Sequence, residues 1–88
     1  MTKFIAIVDR MADAYDVHVP DCPGCAAIGA TENEAIRNAG AALSEWVGRS
    51  DTTGLERPSP RTAEALRSDP RIIGRLAEGA VFAVLEVA

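Results

Sequence analysis

The sequence predicts a small α+β domain: a mostly antiparallel sheet in the order β-β-β-α-β, with short helices before the last strand and one long helix across one face. Three observations predict it. Short apolar runs with strand character stand near both ends of the chain and after the first turn. A single longer stretch, residues 31–48, carries apolar residues at helical spacings of three and four. Between the first three strands lie two short reversals, Met11–Ala14 and the Pro- and Gly-bearing Pro20–Gly24, which favour antiparallel hairpins. With 88 residues the chain has room for one core, so residues 1–88 form one domain.

Lys3–Arg10 reads as the first strand. Both of its alternating sets, Phe4, Ala6 and Val8 on one side and Ile5 and Ile7 on the other, are apolar, which suits a strand covered on both faces. Met11 to Ala14 form the turn. Tyr15–Pro20 is the second strand, with Tyr15, Val17 and Val19 on one face and Asp16 and His18 on the other. The run Pro20-Asp21-Cys22-Pro23-Gly24 reverses the chain, and Cys25–Gly29 forms a short third strand. Thr31-Glu32-Asn33-Glu34 has the form of a capping box: Thr31 accepts from the Glu34 amide while the Glu34 side chain reaches back. The helix it opens should run to Val47 or Gly48, burying Ala35, Ile36, Ala39, Ala42, Leu43, Trp46 and Val47. Gly48 suits the stop. Ser50–Pro60 reads as a polar loop. Thr62–Arg67 follows as a short helix, and Asp69-Pro70 opens another that buries Ile72, Ile73 and Leu76 and ends at Gly79. Ala80–Val87 is the fourth strand, apolar on both faces and expected beside the first.

One helix cannot cover both faces of such a sheet. The second face, or an edge, is therefore expected to meet another chain, in a homo-oligomer (dimer or tetramer) or with a different partner. Composition narrows the field. Hydrophobic residues are 48% and charged residues 25%, which excludes a disordered tail. The 16 alanines and 5% aromatics require a core of small aliphatic side chains. No apolar run approaches the length that spans a bilayer, and no secretory leader is visible, so a cytoplasmic location is expected with no membrane partner. The net charge of −4 disfavours nucleic acid, whose phosphates need clustered Lys and Arg.

A longer pattern runs through these elements. Tyr15-x-Val17-x-Val19-Pro20-Asp21-x-Pro23-Gly24-Cys25, then Gly29-x-Thr31-x-x-Glu34-Ala35, then Asn38-Ala39 and Ala42-Leu43, resembles the HicB antitoxin family. The resemblance is close over residues 3–47 and looser in Pro58-Ser59-Pro60-Arg61 and the closing strand. It implies a truncated ribonuclease-H-like fold without the catalytic carboxylates. It also implies a non-enzymatic, cofactor-free role: binding and neutralising a small basic messenger-RNA-cleaving toxin of the HicA kind. Many such proteins add a C-terminal DNA-binding domain; none is expected in residues 1–88, which corresponds to a stand-alone form, so DNA is a doubtful partner. The alternatives are a stand-alone relative with another role, or a redox- or metal-linked protein built on Cys22-x-x-Cys25.

The chemistry-bearing residues favour the binding role. A zinc site on Cys22 and Cys25 would need two more ligands, and His18 is the one histidine. A redox pair would sit at a helix N-terminus, whereas these cysteines lie in a turn between strands. They read as packing residues, and no metal is expected. Asp9, Asp13, Asp16 and Asp21 gather near the first hairpin as an acidic rim suited to a basic partner. His18 has no nucleophile beside it in sequence and joins that rim. Trp46 ends the helix stripe and is either core or an interface anchor. The expected partner-binding residues are thus Asp9, Asp13, Asp16, His18, Asp21 and Trp46. Tyr15, Pro20, Asp21, Pro23, Gly24, Cys25, Gly29, Thr31, Glu34, Ala35 and Asn38 are expected to hold the motif's shape. Arg67, Arg71 and Arg75 are spaced by four, but Pro70 breaks any single helix that would align them.

Overall fold

The computed structural model describes residues 1–88. Its elements are β1 (Thr2–Arg10), β2 (Tyr15–His18), β3 (Ala26–Gly29), α1 (Glu32–Thr52), α2 (Ala63–Arg67), α3 (Pro70–Ala77) and β4 (Val81–Val87). The four strands form one sheet in the order β3-β2-β1-β4, every neighbour antiparallel. The expected α+β class, strand count and pairing of first with last strand are all present.

Strand alternation places two cores on the two faces of the sheet. On the first face Phe4, Ala6 and Val8 of β1 and Val17 of β2 meet Ala35, Ala39, Leu43 and Val47 of α1, with Val19, Cys22, Cys25, Leu85 and Val87 completing the cluster. The small residues at 35 and 39 let the helix approach the sheet closely. Where Gly29 passes under the first turn of α1, a Cβ would lie 2.4 Å from the Ala35 backbone nitrogen. The capping box forms only in its Thr31 half: Thr31 Oγ1 accepts from the Glu34 amide at 3.1 Å. Asn38 then donates to the Ile28 carbonyl at 3.0 Å, tying the outer strand β3 to the helix.

On the second face Ile7 is buried against Leu66, Ile72 and Ala80, with Ile5, Leu76 and Phe82 around them. The short helices α2 and α3 therefore cover part of the face that was expected to need another chain. Ile72 is buried as expected and Leu66, which the sequence reading did not single out, is fully buried, whereas Ile73, expected in the buried stripe, is 49% exposed. Coverage is incomplete: Ile28 and Val84 remain 59% exposed.

The long helix also overruns its expected end, passing Gly48 and stopping at Thr52. Gly48 meets no structural demand to leave the helix. The terminator is Gly54, at positive φ, with Gly54 N donating to Asp51 O and Leu55 N to Ser50 O. That hydrogen-bond pair is the Schellman arrangement, and α3 ends the same way at Gly79. The extra turn buries Ser50 and positions Asp51 to receive Arg57.

Candidate functional site

The polar residues expected near the first hairpin converge on the second face, where α3 lies over β1 and β2. Register pairs Asp9 with Asp16 and Ile7 with His18, so Asp9, Asp16 and His18 share that face. Arg75 of α3 reaches down to them. Its Nε donates to Asp9 at 2.8 Å, its Nη2 lies 2.5 Å from the same carboxylate, and Asp16 is 3.8 Å away. Asp9, Asp16 and His18 offer donor atoms within 4.8 Å of one another, a set that could hold a divalent cation. The Arg75 guanidinium stands among them and supplies the positive charge.

Arg61 performs a second joining role. Its backbone N–H and Nε donate to the two oxygens of Asp21 at 2.7 and 2.6 Å, and its Nη1 donates to Asp69 at 3.1 Å. Asp69 is also the cap of α3, accepting from the Arg71 amide at 2.9 Å. Those donors, led by Arg71 and followed by Arg61, hold the Asp69 carboxyl far below the usual carboxylate range. The clip Asp21–Arg61–Asp69 fastens the turn after β2 to the N-terminus of α3. Arg61, Arg71, Arg75, His18, Pro20 and Asp69, with Ile72, line a shallow cavity of about 190 Å³ between them. Four carboxylates face three guanidiniums here, so the group is close to charge-balanced and lacks the excess cation that would hold a phosphate.

Burial, then the nearby Arg75 charge, lowers the His18 pKa below its ordinary 6.5, against smaller opposing effects of Asp16 and Asp9. The sign of the linkage follows. Above about pH 6.5 the imidazole is neutral in both states and folding is unaffected. As pH falls, the unfolded chain takes the proton first, so stability declines until the folded-state pKa is passed. Urea midpoints measured at pH 7.5 and pH 5 should drop more for the wild type than for His18→Gln; equal drops would refute the shift.

The remaining expected residues lie elsewhere. Asp13 is exposed in the β1–β2 turn and makes no ion pair. Trp46 lies on the first face, partly buried against the main core, with Nε1 donating to the Pro23 carbonyl at 3.0 Å. It thereby fastens the Pro-Gly turn to α1. Tyr15 packs on the same core. Cys22 and Cys25 are buried free thiols. Burial, the Cys25 neighbour and Asp21 push the Cys22 pKa up to about 12, and burial raises Cys25 as well. A thiol held protonated is neither a good nucleophile nor a ready metal ligand. In native protein at pH 8 both cysteines should resist a thiol-labelling reagent and become reactive on unfolding in urea; fast labelling of the folded chain would show an accessible thiolate.

Arg61 and Arg75 carried no signal of their site roles in the sequence, because their partners Asp21 and Asp9 lie 40 and 66 positions away, and Asp69 read only as the cap of α3. Exposed Ile28 was hidden inside a run that reads as ordinary strand.

A single long helix on one face of a four-stranded antiparallel sheet, with two short helices on the other, defines the α+β fold seen in bacterial HicB antitoxins. The structure matches the N-terminal domain of Burkholderia pseudomallei antitoxin HicB with a TM-score of 0.78 and 30% identity, over 99% of each chain. It matches the longer B. pseudomallei HicB with a TM-score of 0.81, at 30% identity, covering 99% of this chain and 64% of that one. A chain of a HicA3 and HicB3 toxin-antitoxin complex shares the fold at a TM-score of 0.76 and 22% identity, over 99% of each chain. No curated protein sequence matches this one. Residues 4–87 match the family described as the HicB-like antitoxin of bacterial toxin-antitoxin systems, and the chain belongs to that family.

Proposed function

We propose that this protein is an antitoxin that binds a HicA-like toxin and neutralises it by covering its active surface, with no catalytic step of its own. The observation that carries this reading is the match to the HicB-like family over residues 4–87. A structural relative solved as a HicA3–HicB3 toxin-antitoxin complex supports the choice of partner. The site's chemistry agrees. Its histidine has a lowered pKa and no adjacent nucleophile, its thiols are buried, and its carboxylates are already engaged by arginines.

The toxin-facing surface we assign is the β2–β3 side of the second face. Ile28 is exposed there, with Asp16 opposite it in the neighbouring strand and His18 two residues on. Asp13 adds an unpaired carboxylate at the adjoining turn, suited to a basic partner. Asp9 and Asp21 support this surface through Arg75 and Arg61, and Trp46 supports the opposite face. Exposed apolar area beside free negative charge is what a soluble partner of complementary charge would desolvate.

The test is inhibition of a purified HicA-like toxin in a messenger-RNA cleavage assay. Cleavage should cease near one antitoxin chain per toxin, and Ile28→Glu combined with Asp13→Lys should weaken inhibition about tenfold or more. Cleavage unaffected by excess wild-type protein would overturn the reading.

A further inference from the structure

Cys22 and Cys25 stand at the two ends of one tight turn. The Cys25 N–H donates to the Cys22 carbonyl at 2.9 Å, and Gly24 between them has a φ of 85°. With Pro23 before it, this is the pattern of a type II turn, whose end Cα atoms lie within about 7 Å of each other. A disulfide needs about 4.4–6.8 Å between its Cα atoms. The turn is also held from outside. The Cys22 N–H donates to the Val19 carbonyl and the Val19 N–H to the Cys25 carbonyl, both at 3.0 Å. Trp46 holds the Pro23 carbonyl, and Arg61 clips Asp21. Both cysteine side chains enter the same core cluster, with exposures of 0% and 3%. Two free thiols thus share one corner of the core, on backbone that is fixed at both ends.

We infer that this pair is an oxidant-responsive brace: Cys22 and Cys25 join in an intramolecular disulfide that forms within the folded chain and is reversed by thiols. The bond is structural, not the centre of an oxidoreductase, since neither sulfur is open to a protein substrate. The oxidant that can reach it is small and uncharged, of the peroxide class. Cys25 is the sulfur that reacts first. There the Arg49 charge offsets part of the effect of burial, whereas at Cys22 the Cys25 neighbour and Asp21 add to it. The Cys25 thiolate attacks one peroxide oxygen, giving a sulfenic acid and hydroxide. Cys22 then attacks the sulfenic sulfur: the S–S bond forms, the S–O bond breaks, and water leaves with the Cys22 proton. In sum the two thiols lose two electrons and hydrogen peroxide becomes two waters. Burial makes the reaction slow, and it makes it selective, because larger electrophiles are kept out.

The bond fixes the corner where β2, β3 and α1 meet, and through the Asp21–Arg61 clip it steadies the start of α3. It lies on the first face of the sheet, away from the surface assigned to the toxin, so the inference does not depend on the antitoxin reading.

The native full-length chain, treated with excess hydrogen peroxide, should yield a peptide carrying both cysteines that is lighter by two hydrogens. Dithiothreitol should restore them. The decisive comparison equilibrates native and urea-unfolded chains in the same glutathione buffers, approached from both the reduced and the oxidised side. Because the folded turn already holds the two cysteines together, oxidation should be favoured about fivefold or more in the native chain. By the same thermodynamic cycle the oxidised chain should melt at a higher temperature than the reduced one. A preference that is equal or weaker in the native chain would overturn the inference. So would peroxide treatment that leaves both thiols free, or that carries Cys25 on to the sulfinic acid without a link.

Discussion

Leu66→Ala should destabilise the protein by about 2–5 kcal/mol, the usual cost of emptying a fully buried leucine site. The expectation is severe because of where Leu66 sits. It is the one buried residue of the five-residue helix α2, a segment far too short to be helical by itself. Its side chain meets Ile7 of the central strand together with Ile72 and Ala80. Removing it leaves a cavity over β1 and takes from α2 its main reason to stay folded. A domain of this size is stable by about 5–15 kcal/mol, so the variant would lose a large part of its margin. Urea denaturation checks the magnitude, and amide exchange at Ile7 and Phe82 checks the location, since both should open. A loss below about 0.5 kcal/mol, typical of surface positions, would mean that the α2–α3 segment is a loose appendage and the second face is not sealed by it.

Gly29→Ala should be the next most damaging change, at about 1–3 kcal/mol, by forcing atoms into filled space. The added methyl would lie 2.4 Å from the Ala35 nitrogen and 2.8 Å from its Cα, and both are backbone atoms that cannot rotate aside. Helix α1 would have to lift from β3, straining the Asn38 bond to the Ile28 carbonyl. Gly48 is the natural control. No atom outside its own helix lies within 4 Å of the position its Cβ would take, and it sits inside α1. Gly48→Ala should therefore stabilise by up to about 1 kcal/mol, the helix-propensity difference. Thermal melts of the two variants should move in opposite directions; a harmless Gly29→Ala would show that the close approach is not a constraint.

Much of this was readable in advance from local chemistry. The two apolar sides of β1, the Thr31 cap, the Asp69-Pro70 helix start and the Gly79 stop each depend on a few adjacent residues, and each is where it was expected. The motif from Gly29 to Asn38 is legible as architecture once its contacts are known: a glycine for close approach, a threonine cap, a buried alanine and an amide that holds the edge strand. What local reading lost was competition between equivalent signals. Gly48 and Gly54 are both plausible helix stops, and burial of Ser50 with the Asp51–Arg57 pair decides for the later one. Coverage of the second face depended on Leu66, one apolar residue in a polar stretch, meeting a strand nearly sixty positions earlier. The same limit applies to the acidic rim. Four aspartates in one stretch suggest free negative charge, yet Arg61 and Arg75, far along the chain, engage Asp21 and Asp9. Asp13 keeps its charge unpaired.

The pairing of Thr2 with Val87 and Val8 with Val81 has a consequence for biosynthesis. β1 lies inside the sheet, and its outer neighbour β4 is synthesised only about seventy residues after it. Until then Ile5 and Ile7 have no strand beside them on that flank, and the nascent chain cannot close its sheet. Contacts of such long sequence separation also slow folding in free solution. Linking the adjoining ends and reopening the chain in the exposed β1–β2 turn would make the two strands neighbours in order of synthesis, and such a circular permutant should fold faster than the natural arrangement.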